Sequence, residues 1–224
     1  FVAWYDFSDG DSEIYVRRWD GAAWGKVGDS ADGGGISSNE TISYWPSLAI
    51  APDGIPIVTW IDGNVGEIYA KRWDGLVWAE MDSSATSGGI SDNNGNSVTP
   101  SLAVAPDGTP FVAWSDNTRG NYEIYVRGWN GAAWVEVGAG SASTGGISNN
   151  NGDSTNPSLV ITTDGRPAVG WGQMELDPEI FFRVRTIDAW VEYGAGSAWG
   201  GGISGKGGVA CEPARAVTPG GRVI

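Results

Sequence analysis

The groups able to do chemistry are carboxylates, amides and aromatic rings. Glu175 and Asp177 lie two residues apart in GQMELDP, an acidic pair of the kind that glycoside hydrolysis uses. Two other segments are rich in oxygen ligands: SDNNGNS from Ser91 to Ser97 and SNNNGDS from Ser148 to Ser154. Hard cations require several such oxygens, so Asp92, Asn94, Asn149, Asn151 and Asp153 are candidate calcium ligands. The EF-hand spacing is absent, and Asn-Gly-Asp runs also serve as ordinary turn chemistry. Tyr44 and Trp45 form an aromatic pair before Pro46, which serves either to pack against the strand, as aromatics beside strands usually do, or as a platform for a neutral sugar. The loops DFSDGDS, DGNVG and DNTRGN add Asp9, Asp11, Asp62, Asn64, Asp116 and Arg119 as candidate ligand-binding groups, alongside Glu175 and Asp177.

Other chemistries are excluded by composition. The chain has no histidine, so a Ser-His-Asp triad is impossible and the commonest metal ligand is missing. Its one cysteine, Cys211, cannot form an intrachain disulfide. With 13 basic against 27 acidic residues the net charge is −14, which opposes nucleic acid and anionic membrane surfaces. No apolar run has the length of a membrane span.

A fourfold repeat must position these groups. GGIS occurs at Gly34, Gly88, Gly145 and Gly201, in steps of 54, 57 and 56 residues. An apolar run ends in Trp4, Trp60, Trp114 and Trp171, and Glu-Ile opens another at Glu13, Glu67, Glu123 and Glu179. A further tryptophan recurs at Trp24, Trp78, Trp134 and Trp190. Each unit holds four short segments rich in β-branched and aromatic residues, joined by PDG, WDG or WNG turns, with no helical period. The sequence therefore predicts an all-β, four-bladed propeller with four antiparallel strands per blade. The predicted units are about 1–45 plus a C-terminal strand at 213–224, then 46–99, 100–156 and 157–212. Because PARAVTPGGRVI aligns with PSLAIAPDGIPI, pairing of the N- and C-terminal segments is expected to close the ring. A monomer is expected; the alternatives are one piece of a longer array, or two copies sharing a larger ring.

Strand order puts the PDG and WDG turns at one end of each blade and the candidate ligand loops at the other. The alternating series Glu13, Tyr15, Arg17, Trp19 and its copies share one strand face and are expected to form a ladder between blades. The fourth unit departs from the pattern, with EIFFRVR as its third strand and Arg185 in the tryptophan position.

The pair APDGTPFVAW and EIYVRGWNG, with the GGISNNNGDS loop, resembles repeats of large bacterial secreted or surface proteins that form propellers. The resemblance implies an extracellular or cell-surface location. Sialidase-type Asp-boxes separate Asp from Gly, whereas Asp53-Gly54, Asp107-Gly108 and Asp164-Gly165 are adjacent here, so the repeat is a distant variant. The architecture is also similar to that of hemopexin-like domains. The expected function is a non-catalytic binding module whose loop face meets a glycan or protein, with no nucleic acid partner and no membrane insertion. A structural array segment and a sialidase-like glycoside hydrolase are the alternatives.

Overall fold

The computed structural model describes residues 1–8, 10–39, 41–174, 178–205, 210 and 212–214. The chain is all-β, as expected. Its first sheet holds β1 (Val2–Asp6), β2 (Glu13–Trp19) and β3 (Trp24–Lys26). The second holds β4 (Ser43–Ile50), β5 (Pro56–Asp62), β6 (Glu67–Trp73) and β7 (Trp78–Glu80). The third holds β8 (Ser97–Val104), β9 (Pro110–Asp116), β10 (Glu123–Trp129) and β11 (Trp134–Glu136). The fourth holds β12 (Asp153–Ile161), β13 (Pro167–Met174), β14 (Glu179–Arg185) and β15 (Trp190–Glu192). All pairings are antiparallel between consecutive strands, as in the blades of a propeller-like fold. Of the expected C-terminal strand at 213–224, residues 215–224 lie outside the described residues, and no closed ring is seen among those described.

The core lies between sheets. Three apolar clusters fill the three junctions from first to second, second to third and third to fourth sheet. Each is built from the same repeat positions. Trp60, Trp114 and Trp171 are fully buried, and each meets an aromatic residue of the neighbouring strand: Tyr69, Tyr125 or Phe181. The alternating ladder also spans the junctions. Lys71 Nζ donates to the Ile36 carbonyl at 2.8 Å, Arg127 to Ile90 at 2.5 Å and Arg183 to Ile147 at 2.6 Å. Each cation thus reaches back to the GGIS segment of the preceding sheet, satisfying a carbonyl that would otherwise be buried unpaired.

GGIS itself folds onto its own sheet. The Ile36, Ile90, Ile147 and Ile203 amides donate to the carbonyls of Ile14, Ile68, Ile124 and Ile180 at 2.7–2.8 Å. The GGIS serine then bridges the repeated Glu. Ser37, Ser91, Ser148 and Ser204 hydroxyls donate to Glu13, Glu67, Glu123 and Glu179, all of them buried. Downstream, Asn39, Asn93 and Asn150 amides cross to Asp62, Asp116 and Gln173 of the next sheet at 2.9, 2.5 and 2.9 Å. The repeat therefore records a polar relay through each junction as well as apolar stacking.

Candidate functional site

The first strands of the repeat share one irregularity. Register shifts between Tyr44 and Ser47, Val98 and Ser101, and Thr155 and Ser158. These are β-bulges, and in each the residue before proline takes a left-handed conformation: Trp45 (φ 53°), Thr99 (φ 53°) and Asn156 (φ 54°). Glu212, before Pro213, repeats it at φ 54°. A side chain at positive φ costs on the order of 1–3 kcal/mol, most for bulky and β-branched types, so Trp45 and Thr99 are notable outliers.

The three bulges and the matching Glu212-Pro213 step surround an open cavity of about 740 Å3 at the loop end of the first strands. Trp45, Thr99, Asn156 and Glu212 line it, joined by Trp4 and Tyr5 from β1. One repeat position thus supplies an indole, a hydroxyl, an amide and a carboxylate to one space. Trp45 is 47% exposed and is braced edge-on by Tyr44, ring centroids 5.1 Å apart. Tyr44 is half-buried against the core between the second and third sheets and covers Gly63. The Thr99 hydroxyl is engaged internally, by the Val98 carbonyl at 2.8 Å and the Ser115 hydroxyl at 3.1 Å. Asn156 and Glu212 hold the polar groups left to meet a ligand.

The other candidates distribute differently. Asp62 and Asp116 are buried, and their carboxylates accept internal donors. Asp62 takes Asn39, Thr41 and the amides of Asn64 and Val65. Asp116 takes Asn93, Ser97 and the Thr118 amide. Both anchor loops instead of facing a cavity. Asn64 and Arg119 sit exposed at loop tips, and Asp11 is half-buried beside Glu13, whose pKa its charge helps to raise. Asp9, Glu175 and Asp177 lie outside the described residues.

Of the candidate calcium ligands, Asp92 (φ 42°) and Asn149 (φ 43°) occupy equivalent exposed turn positions in two separate loops. Asn94 and Asn151 are exposed in the same two loops, and Asp153 accepts the Tyr122 amide at 2.8 Å. Among the described residues no three His, Cys, Asp or Glu side chains group as a metal site would require.

The sequence singled out Trp45, whereas Thr99, Asn156, Glu212, Trp4 and Tyr5 emerge as cavity residues only in three dimensions. The available signal was the X-Pro step of each first strand, where X varies freely while the flanking residues repeat.

Comparison with protein-family models finds no match, and comparison with curated proteins finds no relative. Among solved structures the chain is similar to a protein of unknown function from Dyadobacter fermentans. The TM-score there is 0.55 at 12% identity, over 84% of this chain and 60% of that one. It is also similar to an endo-arabinase from Bacteroides thetaiotaomicron, with TM-score 0.46 at 17% identity, over 80% of this chain and 66% of that one. A fucose lectin from Kordia zhangzhouensis, in complex with methyl-fucoside, gives TM-score 0.42 at 12% identity, over 67% of this chain and 97% of that one. The chain thus spans less than two thirds of the Dyadobacter and Bacteroides proteins. At such identities the likeness is one of fold alone, and the sheet topology is all-β, consistent with a propeller-like fold.

Proposed function

We propose that the chain is a non-catalytic glycan-binding module and that the cavity ringed by Trp45, Thr99, Asn156 and Glu212 receives the sugar. The observation that carries this is the chemical diversity of one strained repeat position. Bulges kept for backbone reasons alone would favour glycine, which adopts positive φ without cost. Here the position instead carries four different side chains, three of them polar, around a shared space. An exposed indole offers a flat apolar surface to the C–H face of a pyranose, while a planar amide and a carboxylate pair with hydroxyls. The open shape suits the end or edge of an oligosaccharide rather than an enclosed small molecule.

Hydrolysis of a glycosidic bond uses two carboxyl groups across the bond. The described lining of the cavity contributes one, Glu212, which favours binding over cleavage. A secreted or surface setting accords with this role. No helix among the described residues is long and apolar enough to cross a membrane.

A glycan array run with and without calcium tests the proposal, followed by titration of the best ligand against Trp45→Gly. Losing the indole should weaken binding about tenfold, the equivalent of ~1.4 kcal/mol. The same change relieves a left-handed bulky residue, so the thermal midpoint should hold or rise. A null array, or undiminished affinity in the variant, refutes the site. Release of reducing sugar from the bound oligosaccharide would refute the non-catalytic assignment.

A further inference from the structure

Each sheet has two unlike faces, and the three internal junctions show how they mate. The forward face offers the GGIS isoleucine and the carbonyl at Val27 or Val137. The rear face of the next sheet brings tryptophans and a cation. Trp78 Nε1 donates to the Val27 carbonyl at 2.9 Å, and Trp190 Nε1 to Val137 at 2.8 Å. Trp73 packs over Gly28, where a Cβ would lie 2.5 Å from the ring, and Arg185 covers Gly138 in the same way.

Among the described residues, the terminal sheets carry the same two halves unmated. On the rear face of the first sheet Trp19 and Trp24 are each 48% exposed. On the forward face of the fourth, Ile203 is 59% exposed, whereas Ile36, Ile90 and Ile147 are buried. Tyr193 holds the position of Val27, Met81 and Val137, yet it is exposed. Gly194, the counterpart of Gly28 and Gly138, has nothing within 4 Å. Exposed apolar groups of this size, in contiguous positions, mark an interaction surface.

We propose that these two faces dock head-to-tail with a second copy of the chain, the first sheet of one copy seating on the fourth sheet of the other. The occupant follows from continuity: the proposed contact follows the junction between the first and second sheets, whose cation-to-GGIS bond recurs at all three internal junctions and whose Trp-to-carbonyl bond recurs at the third. Trp24 takes the place of Trp78, Arg17 that of Lys71, and Gly194 and Ile203 that of Gly28 and Ile36. Two copies related by a twofold axis satisfy both pairs of faces and close the assembly.

Sedimentation analysis over a wide concentration range, with Trp24→Ser and Ile203→Glu variants checked by circular dichroism for folding, tests this. The unaltered chain should self-associate, and each variant should do so at least tenfold more weakly. A chain carrying both substitutions should associate more weakly still, because both halves of each junction are then lost. A chain that stays monomeric at every concentration overturns the proposal, and buried Trp24 in that monomer would identify a ring closed on itself. Association that both variants leave unchanged overturns it equally.

Discussion

Gly146→Ala should cost at least about 3 kcal/mol of stability, read as a fall in the urea midpoint, because two penalties coincide there. Gly146 has φ +64°, and a Cβ built on it lies 2.1 Å from the Ile124 carbonyl oxygen and 2.8 Å from the carbonyl carbon. These are backbone atoms, and that oxygen already accepts the Ile147 amide at 2.7 Å. Neither partner can withdraw without breaking the bond that ties GGIS to β10. Gly131→Ala is the matched control. It also has positive φ, +98°, but nothing within 4 Å, so it should cost only the conformational term, about 1 kcal/mol. Equal losses at the two positions would show that close approach is not what the second glycine of GGIS provides.

The second large effect is a pH dependence. Glu67 is buried, and desolvation, ahead of all other influences, raises its pKa to about 7. The Ser91 hydroxyl and the Asn93 amide oppose the shift, while the charges of Asp116 and Asp92 add to it. Burial likewise raises Glu13 and Glu123. A carboxyl whose pKa is higher in the folded than in the unfolded chain stabilises most when protonated. That contribution is complete below the unfolded value and is lost as pH rises through the folded one. Through Glu67, stability should therefore decline from about pH 4.5 to about pH 7, by up to about 1.4 kcal/mol per pH unit, and Glu13 and Glu123 act in the same direction. At the acid side the trend reverses. Asp20 and Asp74 are held low by the amides of Ala23 and Ala22, and of Val77 and Leu76, and lose their contribution as they protonate. The optimum thus falls in mild acid. Glu67→Gln keeps an acceptor and removes the titration, so its midpoint should fall less steeply between pH 5 and 7. Parallel profiles for the variant and the unaltered chain would contradict this account.

The repeat made the architecture legible. Alternation, β-branched residues and Asp-Gly or Asn-Gly hairpins are local signals, so strands such as Glu67–Trp73 and their two-residue turns could be placed from residue types alone. The ladder of acid, tyrosine, cation and tryptophan was also legible as an inter-blade device, since recurrence in three of the four units records what stacking requires. Asp62 and Asp116 were harder. Their loop positions match those of binding groups, and only the arrival of Asn39 and Asn93 from the preceding sheet turns them into anchors.

What the sequence by itself determined is the unit: four strands, their order, their turns, and the faces each strand presents. These depend on neighbours a few residues apart. What only the tertiary structure decided is the relation between units. The bulges at Trp45, Thr99 and Asn156 arise from register shifts, and the cavity from these three positions and Glu212 meeting across separations of more than fifty residues. The unmated faces at Trp24 and Ile203 are likewise invisible in a repeat whose copies all look alike. Position within the assembly, and not residue type, determines whether the same tryptophan is core or surface.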